Sequence, residues 1–286
     1  MDNKIMSLYK DFMDGLFNRR EFLNKLTVIA GSVSSTCILL SLLEDNNAQG
    51  QVISENDSRL MSEYIQYPAE TGEMRAYFSQ PKGNEKLPGV IVIHENRGLN
   101  PHIEDVARRV ALEGFMAIAP DALSPQGGTP KDTNEARSLF QKLDMQSTVK
   151  NFVAAVQYLK THPQSTGKVG VMGFCWGGGL TNQVAVNAPD VSAAVPFYGA
   201  QPAVEDVAKI KASMLIHYAG MDERINAGIA AFEAALKKSK IDYTIYMYEG
   251  AGHAFFNDTN PSRYHKDAAQ LAWKRTIEFF NVKLKT

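Results

Sequence analysis

The sequence is poor in cysteine, with only Cys37 and Cys175 among 286 residues. Neither belongs to a C-x-x-C pair or to a Cys/His cluster with the spacing of a zinc or iron-sulfur site, so we expect no structural metal. The chain also lacks an excess of either charge, because 30 basic and 31 acidic residues leave a formal net charge of -1. Without an extended basic surface or a block of like charge, the sequence argues against a nucleic-acid partner.

The first fifty residues have the pattern of an export signal. Two arginines at 19–20 are followed by Phe-Leu at 22–23 and by a weakly apolar stretch over 27–40. This order resembles a twin-arginine signal. We therefore expect residues 1–50 to form a leader and short linker that is cleaved near Ala48. The mature protein is then expected in the periplasm or otherwise exported.

The apolar stretch leaves two other interpretations open, an ordinary amphipathic helix and an uncleaved membrane anchor over 26–43. Its Ser and Thr residues make it less apolar than a typical spanning helix, which favours the removable signal. Once the signal is removed, we expect no stable membrane insertion. Removal would also take Cys37 away, so Cys175 would be the sole thiol and no internal disulfide could form.

From residue 51 onwards, apolar runs and helical spacing alternate, which predicts one α/β domain over 51–286. Apolar runs typical of strands occur at 90–93, 115–119, 169–172, 193–198, 214–218 and 243–248, and an alternating strand is predicted at 74–78. Helices are predicted at about 103–113, 149–160 and 225–238, after Gly177, and from about Ser262. The alternation predicts a doubly wound, mostly parallel sheet with helices on both faces. In such sheets ligands bind beyond the carboxyl ends of the strands.

The segment 173–177 reads Gly-Phe-Cys-Trp-Gly and lies between an apolar strand and a predicted helix. This is the position of the G-x-S-x-G nucleophile turn, with Cys175 in place of serine. The following helix directs its amides and positive dipole end toward the sulfur, and the Trp176 amide becomes an oxyanion donor. A glycine-rich connection with an incidental cysteine is the alternative. A phosphate cradle is disfavoured because the segment has neither G-x-G-x-x-G nor a P-loop ending.

Asp222 and His253 each come directly after a later predicted strand. Nucleophile, acid and histidine in that chain order is the order of α/β-hydrolases. Taken singly, Asp222 has the place of a turn or cap residue and His253 that of a loop histidine. Three such groups at three strand ends are much harder to explain as packing, so Cys175, Asp222 and His253 are predicted as the catalytic groups.

These motifs resemble the dienelactone hydrolase family, and the resemblance extends from about Tyr64 to the C-terminus. It is carried by four segments, which read His-Glu-Asn-Arg-Gly at 94–98, Gly-Phe-Cys-Trp-Gly-Gly at 173–178, Gly-Met-Asp at 220–222 and Gly-His-Ala-Phe at 252–255. The resemblance implies an α/β-hydrolase fold, hydrolysis of an ester or lactone of the carboxymethylenebutenolidase type, and no cofactor.

By the same resemblance, Glu95 contacts the thiol and influences its ionisation, and the Asn96 amide completes the oxyanion hole with Trp176. Family members that act on dienelactone hold the substrate carboxylate with two arginines. The position four residues after the histidine is Asn257 here, and the loop at 121–128 has no arginine. Arg97 and Arg263 are candidate replacements, and Tyr198, which ends a predicted strand, is a further candidate substrate-binding residue.

The acyl-transfer motifs do not define the substrate, so a general carboxylesterase, a thioesterase or a peptidase on the same fold stays open. A small-molecule ester or lactone and a monomeric state are the favoured expectations. A protein of another class, a non-catalytic scaffold that uses Cys175 as an oxidisable thiol, is also possible. The presence of both Asp222 and His253 argues against it, because a redox sensor needs neither a base nor its orienting acid.

Overall fold

The computed structural model describes residues 4–5, 7–8, 11, 19–31, 35–36 and 52–285. Within the predicted leader, helix α1 (Arg19–Ala30) begins at the two arginines of the signal pattern. Cys37 and the expected cleavage point near Ala48 lie outside the described residues. In the described part of the chain, no helix is both long and apolar enough to cross a membrane. The export signal stays a prediction.

The domain is built on one eight-stranded sheet. In chain order its strands are β1 (Leu60–Ala69), β2 (Gly72–Pro81), β3 (Leu87–Ile93), β4 (Met116–Pro120), β5 (Ser165–Phe174), β6 (Val191–Phe197), β7 (Ser213–Ala219) and β8 (Tyr243–Tyr248). Their spatial order is β1-β2-β4-β3-β5-β6-β7-β8. The pairings β1–β2 and β2–β4 are antiparallel and all the others are parallel. The predicted mostly parallel sheet is confirmed.

Helices cover both faces of this sheet. They are α2 (Pro101–Leu112), α3 (Thr133–Phe140), α4 (Met145–Thr161), α5 (Trp176–Asn187), α6 (Glu223–Asn226), α7 (Ile229–Lys238) and α8 (Lys266–Leu284). One apolar core packs strand side chains against α4, α5 and α7, and the other packs them against α2 and α8. Because β3 and the second half of β5, residues 169–174, are buried on both faces, their sequences are continuous apolar runs rather than alternating ones.

Two elements were not predicted from the sequence. Strand β1 lies at the edge of the sheet and exposes side chains such as Glu63 and Gln66, so it has no apolar run to mark it. Helix α3 buries only Ala136, too little for a helical period to be visible. Its first turn is held instead by the Asp132 side chain, which accepts hydrogen bonds from the amides of Asn134 and Glu135.

Two predicted helices have different bounds. The helix predicted over 225–238 is divided into α6 and α7, and Gly228 lies between them. The final helix begins at Lys266 rather than near Ser262, with His265 as its N-cap. Turns occupy the preceding residues, and they place part of the loop between β8 and α8 at the functional site.

A buried carboxylate ties the segment after the predicted leader to α2. Asp105 is fully buried and accepts hydrogen bonds from the amides of Val52 at 3.1 Å and Ile53 at 2.7 Å. It also accepts from Arg109 Nε at 2.7 Å, and Arg109 Nη2 donates to Asp258 at 2.6 Å. Asp258 lies on the loop between β8 and α8. One network therefore joins three parts of the chain. Asp105 of α2 binds the amides of segment 52–53, and Arg109 of α2 binds the loop between β8 and α8.

We predict that Asp105→Ala strongly destabilises the protein, because it removes a buried carboxylate that Arg109 and the amides of Val52 and Ile53 share. Removing one partner of a buried ionic network costs about 3–5 kcal/mol, a loss that urea unfolding would measure. Glu278→Ala is the control, since Glu278 lies 3.8 Å from Lys274 in an exposed pair. Loss of such a pair costs less than about 1 kcal/mol. Equal losses in the two variants would contradict the assigned role of Asp105.

Candidate active site

Cys175 occupies a sharp turn between β5 and α5. Its backbone angles, φ 56° and ψ -114°, lie outside the regions that residues other than glycine favour. Such a conformation costs about 1–3 kcal/mol and persists only where the surroundings enforce it. Here the Cys175 amide donates to the Phe197 carbonyl at 3.0 Å, and the Cys175 carbonyl accepts from the Gly179 amide at 3.1 Å. The turn places Cys175 at the carboxyl end of β5, where the sequence predicts it.

Gly173 and Gly177 allow backbone segments to meet beneath this turn. A side chain on Gly173 would place its Cβ 2.3 Å from the Gly177 carbonyl oxygen, and one on Gly177 would place it 2.4 Å from the His94 carbonyl oxygen. Both neighbours are backbone atoms and cannot move aside as a flexible side chain would. Close packing therefore requires glycine at both positions.

His253 joins Cys175 to Asp222. Its Nε2 lies 2.9 Å from Sγ, and its Nδ1 lies 2.5 Å from Asp222 Oδ2. An ionised carboxylate only accepts hydrogen bonds, so Nδ1 carries the proton and the Nε2 lone pair faces the thiol. The three residues that the sequence placed at separate strand ends are thus brought into one continuous set of contacts.

Burial and, after it, the charge of Glu95 raise the pKa of the Cys175 thiol to about 11. The Trp176 backbone amide and the charges of Arg224 and Arg263 lower this pKa, with smaller effects. The balance keeps the sulfur protonated at neutral pH. The base nearest to this proton is His253, whose Nε2 lies 2.9 Å from Sγ.

Glu95 follows β3 and is held by the loop between β8 and α8. Asn257 Nδ2 donates to Glu95 Oε2 at 2.8 Å. Thr259 orients this amide, because its backbone N–H at 3.1 Å and its hydroxyl at 2.6 Å both donate to Asn257 Oδ1. The expected contact between Glu95 and the thiol is not among the hydrogen bonds of the described residues. Since Asn257 binds the carboxylate, Glu95 acts on Cys175 through its charge.

His94 connects the loop after β3 to the loop after β4. Its Nε2 accepts from the Ala122 amide at 3.1 Å, so its Nδ1 donates to the Glu95 carbonyl, 2.7 Å away. Burial lowers the pKa of His94, which keeps the ring in this neutral form. The ring stacks on Trp176 with centroids 5.5 Å apart and an interplanar angle of 10°. His94 thereby positions both Glu95 and the residue next to the nucleophile.

A cavity of about 380 Å³ borders Cys175, with Asn96, Trp176, Tyr198 and Arg224 among its lining residues. Trp176 is the first residue of α5, so its amide has no acceptor within the helix. The Asn96 amide donates to no backbone acceptor among the described residues. Both amides are available to an oxygen atom bound in the cavity, and their role as oxyanion donors stays a prediction.

Tyr198 is buried beside the histidine, with its ring edge-on to His253 at a centroid distance of 5.1 Å. Its φ of 37° is also left-handed, so its backbone is strained as that of Cys175 is. The Tyr198 hydroxyl has no hydrogen-bond partner within residues 52–285 or elsewhere in the described chain. Burial raises the pKa of Tyr198 well above its ordinary value. The hydroxyl therefore stays protonated and free to donate.

Arginine side chains surround the site without carboxylate partners. Within the described ranges, no ion pair involves Arg97, Arg224 or Arg263. Burial lowers the pKa of Arg97, and the charge of Arg137 lowers it further. Glu95 raises this pKa, and the smaller effect of Arg263 lowers it. Arg224 lines the cavity beside Cys175, whereas the candidate residues Arg97 and Arg263 are not among its lining residues.

A sequence model of the Dienelactone hydrolase family matches residues 74–284. The chain belongs to this family.

Relatives and a solved structure of the dienelactone hydrolase family agree with this assignment. A protein of Saccharolobus solfataricus, provisionally named a carboxymethylenebutenolidase, is 36% identical over 258 residues, covering 77% of this chain and 98% of its own. An Escherichia coli protein with the same provisional name is 31% identical over 246 residues, covering 80% and 90%. The crystal structure of a provisionally named dienelactone hydrolase from Klebsiella pneumoniae has a TM-score of 0.70 at 28% identity, covering 77% and 98%. The protein is a dienelactone hydrolase-like hydrolase with the α/β-hydrolase fold.

Several residues at this dienelactone hydrolase-like site were not predicted as functional from the sequence. Arg224 lines the cavity and Thr259 orients Asn257. Asn257 was noted only as a departure from the family arginine. Its position four residues after His253 could have indicated a role, because a residue so close in the chain to the histidine lies near the same site.

We predict that Glu95→Gln lowers the pKa of the Cys175 thiol, because it removes a negative charge that raises this pKa. The rate of iodoacetamide alkylation, which follows the thiolate fraction, should therefore rise at lower pH than in the wild type. Glu73→Gln, an exposed change on β2, is the control. An unchanged alkylation profile in Glu95→Gln would show that Glu95 does not influence the sulfur.

We also predict that Asn257 acts on the thiol through Glu95. Asn257→Ala should then alter the alkylation profile of the wild type but have no further effect when combined with Glu95→Gln. Additive effects of the two substitutions would contradict this coupling and assign Asn257 a separate role.

Proposed function

We propose that this hydrolase cleaves ester or lactone bonds by acyl transfer, with Cys175 as the nucleophile and an acyl-enzyme as the intermediate. The observation that carries the proposal is the unbroken set of contacts from Asp222 through His253 to Cys175, with distances of 2.5 and 2.9 Å, beside an open cavity. The strained backbone of Cys175 supports it, since such strain concentrates at functional sites.

In the acylation step, His253 Nε2 takes the Cys175 proton as the sulfur attacks the carbonyl carbon. The amides of Trp176 and Asn96 donate to the oxygen that becomes negative, and Asp222 stabilises the imidazolium. When the tetrahedral intermediate collapses, the bond to the leaving oxygen breaks and that oxygen takes the proton from His253. A thioester on Cys175 and a free alcohol result, or, from a lactone, a tethered alcohol.

In the deacylation step, His253 Nε2 takes a proton from a water molecule, and the resulting hydroxide attacks the thioester. The same two amides hold the oxyanion. Collapse expels the Cys175 sulfur, which regains the proton from His253, and the acid is released. Every proton that moves passes through one nitrogen, which explains why Asp222 must fix the tautomer of the ring.

The raised pKa of Cys175 favours this reaction over redox sensing. Oxidisable sensor cysteines have lowered pKa values and exist as thiolates, whereas burial holds Cys175 as a thiol until His253 removes its proton. General carboxylesterases, thioesterases and peptidases share the same acyl-transfer chemistry, and the leaving group distinguishes them.

Within this proposal, Arg97 and Arg263 bind an anionic group of the substrate, and the unpartnered Tyr198 hydroxyl donates to the bound substrate. Two observations support these roles. The guanidinium groups have no carboxylate partner, and a buried hydroxyl without an acceptor in the free protein gains one when substrate enters.

We predict that Cys175→Ala abolishes hydrolysis of a panel of aryl esters, small lactones and dienelactone. Asp222→Asn should lower kcat by about 10³- to 10⁴-fold, because loss of the orienting carboxylate leaves the histidine in the wrong tautomer. Asp267→Asn, an exposed substitution on α8, serves as the matched control. Activity in Cys175→Ala equal to that of the wild type would exclude the cysteine as nucleophile.

We predict that combining Arg97→Ala with Arg263→Ala raises KM for esters that carry a carboxylate by about tenfold, equivalent to roughly 1.4 kcal/mol for a lost charged contact. Neutral esters of the same size should show little change. Arg59→Ala, at an exposed arginine paired with Asp57, is the control for loss of one positive charge. An unchanged KM for the anionic esters would refute the assignment.

A further inference from the structure

An open groove of about 1020 Å³ runs beside the Cys175 cavity, between α4, α5 and the turn that joins β1 to β2. Its apolar lining includes Ala69, Val149, Val153, Ala154 and Val186, which pack on the core beneath them. The groove thus exposes an apolar surface that the fold itself does not cover.

The groove and the Cys175 cavity share two lining residues, Met145 and Gln183. Met145 is 44% exposed, and its unbranched thioether adapts to differently shaped neighbours. The Gln183 side chain makes no hydrogen bond within the described residues, since only its backbone carbonyl accepts from Asn187. The boundary between the two spaces is therefore formed by two unbranched side chains that no side-chain hydrogen bond among the described residues holds in place.

The charges on the groove rim are paired with each other. Lys150 Nζ lies 2.6 Å from Glu70 Oε1, and Lys209 Nζ lies 2.6 Å from Asp206 Oδ1. No net charge is left to attract an ion, in contrast to the unpaired arginines near Cys175. The chemistry of the groove therefore suits an uncharged, apolar group.

We propose that this groove binds a distal apolar arm of the substrate, an alkyl or aryl chain that extends from the ester group past Met145 and Gln183. This inference rests on the proposed function and names its substrate class, which is esters with an extended uncharged arm. Burial of each methylene group against the groove lining contributes up to about fourfold in affinity, so an arm of several carbons governs substrate preference.

The test uses two series of esters. One keeps a p-nitrophenyl leaving group and lengthens the acyl chain from butanoyl to decanoyl, and the other keeps butanoyl and lengthens the alkyl alcohol. In at least one series, kcat/KM of the wild type should rise about two- to fourfold for each added methylene.

Two variants then test whether the substrate arm binds in the groove. Val153→Asp puts a charge on the apolar lining, and Asn187→Trp fills the groove from an exposed rim position that does not disturb the core. Both should flatten the dependence on chain length. Val282→Asp, the same substitution as Val153→Asp at a residue 60% exposed on α8, should keep it. A flat wild-type dependence in both series, as expected for a groove that serves a macromolecular partner, overturns the proposal. So does a dependence that survives in both groove variants.

Binding measured by calorimetry with the Cys175→Ala variant tests the groove independently of the proposed hydrolysis reaction. Octyl butanoate, lengthened on the alcohol side, or ethyl decanoate, lengthened on the acyl side, should bind this inactive protein more tightly than ethyl butanoate, and the difference should disappear when Val153→Asp is added. That result supports the groove even if wild-type protein hydrolyses no ester. Equal binding of all three esters overturns the groove while leaving Cys175-dependent hydrolysis intact.

Discussion

The left-handed backbone of Cys175 is the constraint on which the rest of the site depends. A residue at φ 56° does not hold that conformation by itself, so the surrounding backbone must enforce it. Because Gly173 and Gly177 have no side chains, the backbones of β5, α5 and the loop after β3 are in direct contact at these positions. This contact fixes the sulfur relative to Glu95 and Asn96, because those residues directly follow the segment that meets Gly177. The strain at Cys175 and the position of the proposed oxyanion donors are therefore consequences of the same packing.

The electrostatics of the site oppose a resting thiolate. Burial and Glu95 raise the pKa of Cys175, and the Trp176 amide and nearby arginines offset this only in part. A thiol is less reactive toward incidental electrophiles than a thiolate, so this environment protects the sulfur. In the mechanism we propose, the thiolate forms only when His253 accepts the proton, and Asp222 stabilises the charge that appears on the ring. Under that proposal, the raised pKa of the thiol couples proton transfer to attack on the carbonyl.

The parts of this structure that could be predicted from the sequence are those determined by local pattern. Buried parallel strands are continuous apolar runs, and Cys175 follows such a run directly, while Asp222 and His253 lie in the loops that follow β7 and β8. The hydrogen bond from Asn257 to Glu95 joins positions 162 residues apart in the chain, and no local pattern specifies it. Helix α3 escaped prediction because it is largely exposed. The leader is a different case, since its two arginines lie in helix α1 but the expected cleavage point near Ala48 lies outside the described residues, and its role as a signal stays a prediction.

The loop between β8 and α8 carries two residues, His253 and Asn257, whose positions relative to Cys175 and Glu95 depend on each other. His253 lies in contact with the Cys175 thiol, and Asn257 holds the carboxylate whose charge raises the pKa of that thiol. A rigid shift of the loop would change both at once, moving the base away from the sulfur and releasing Glu95. The loop is anchored against such a shift from outside the site, because Asp258 binds Arg109 of α2. Hence the buried charges on α2, although distant from the nucleophile in sequence, belong to the same arrangement that sets its protonation.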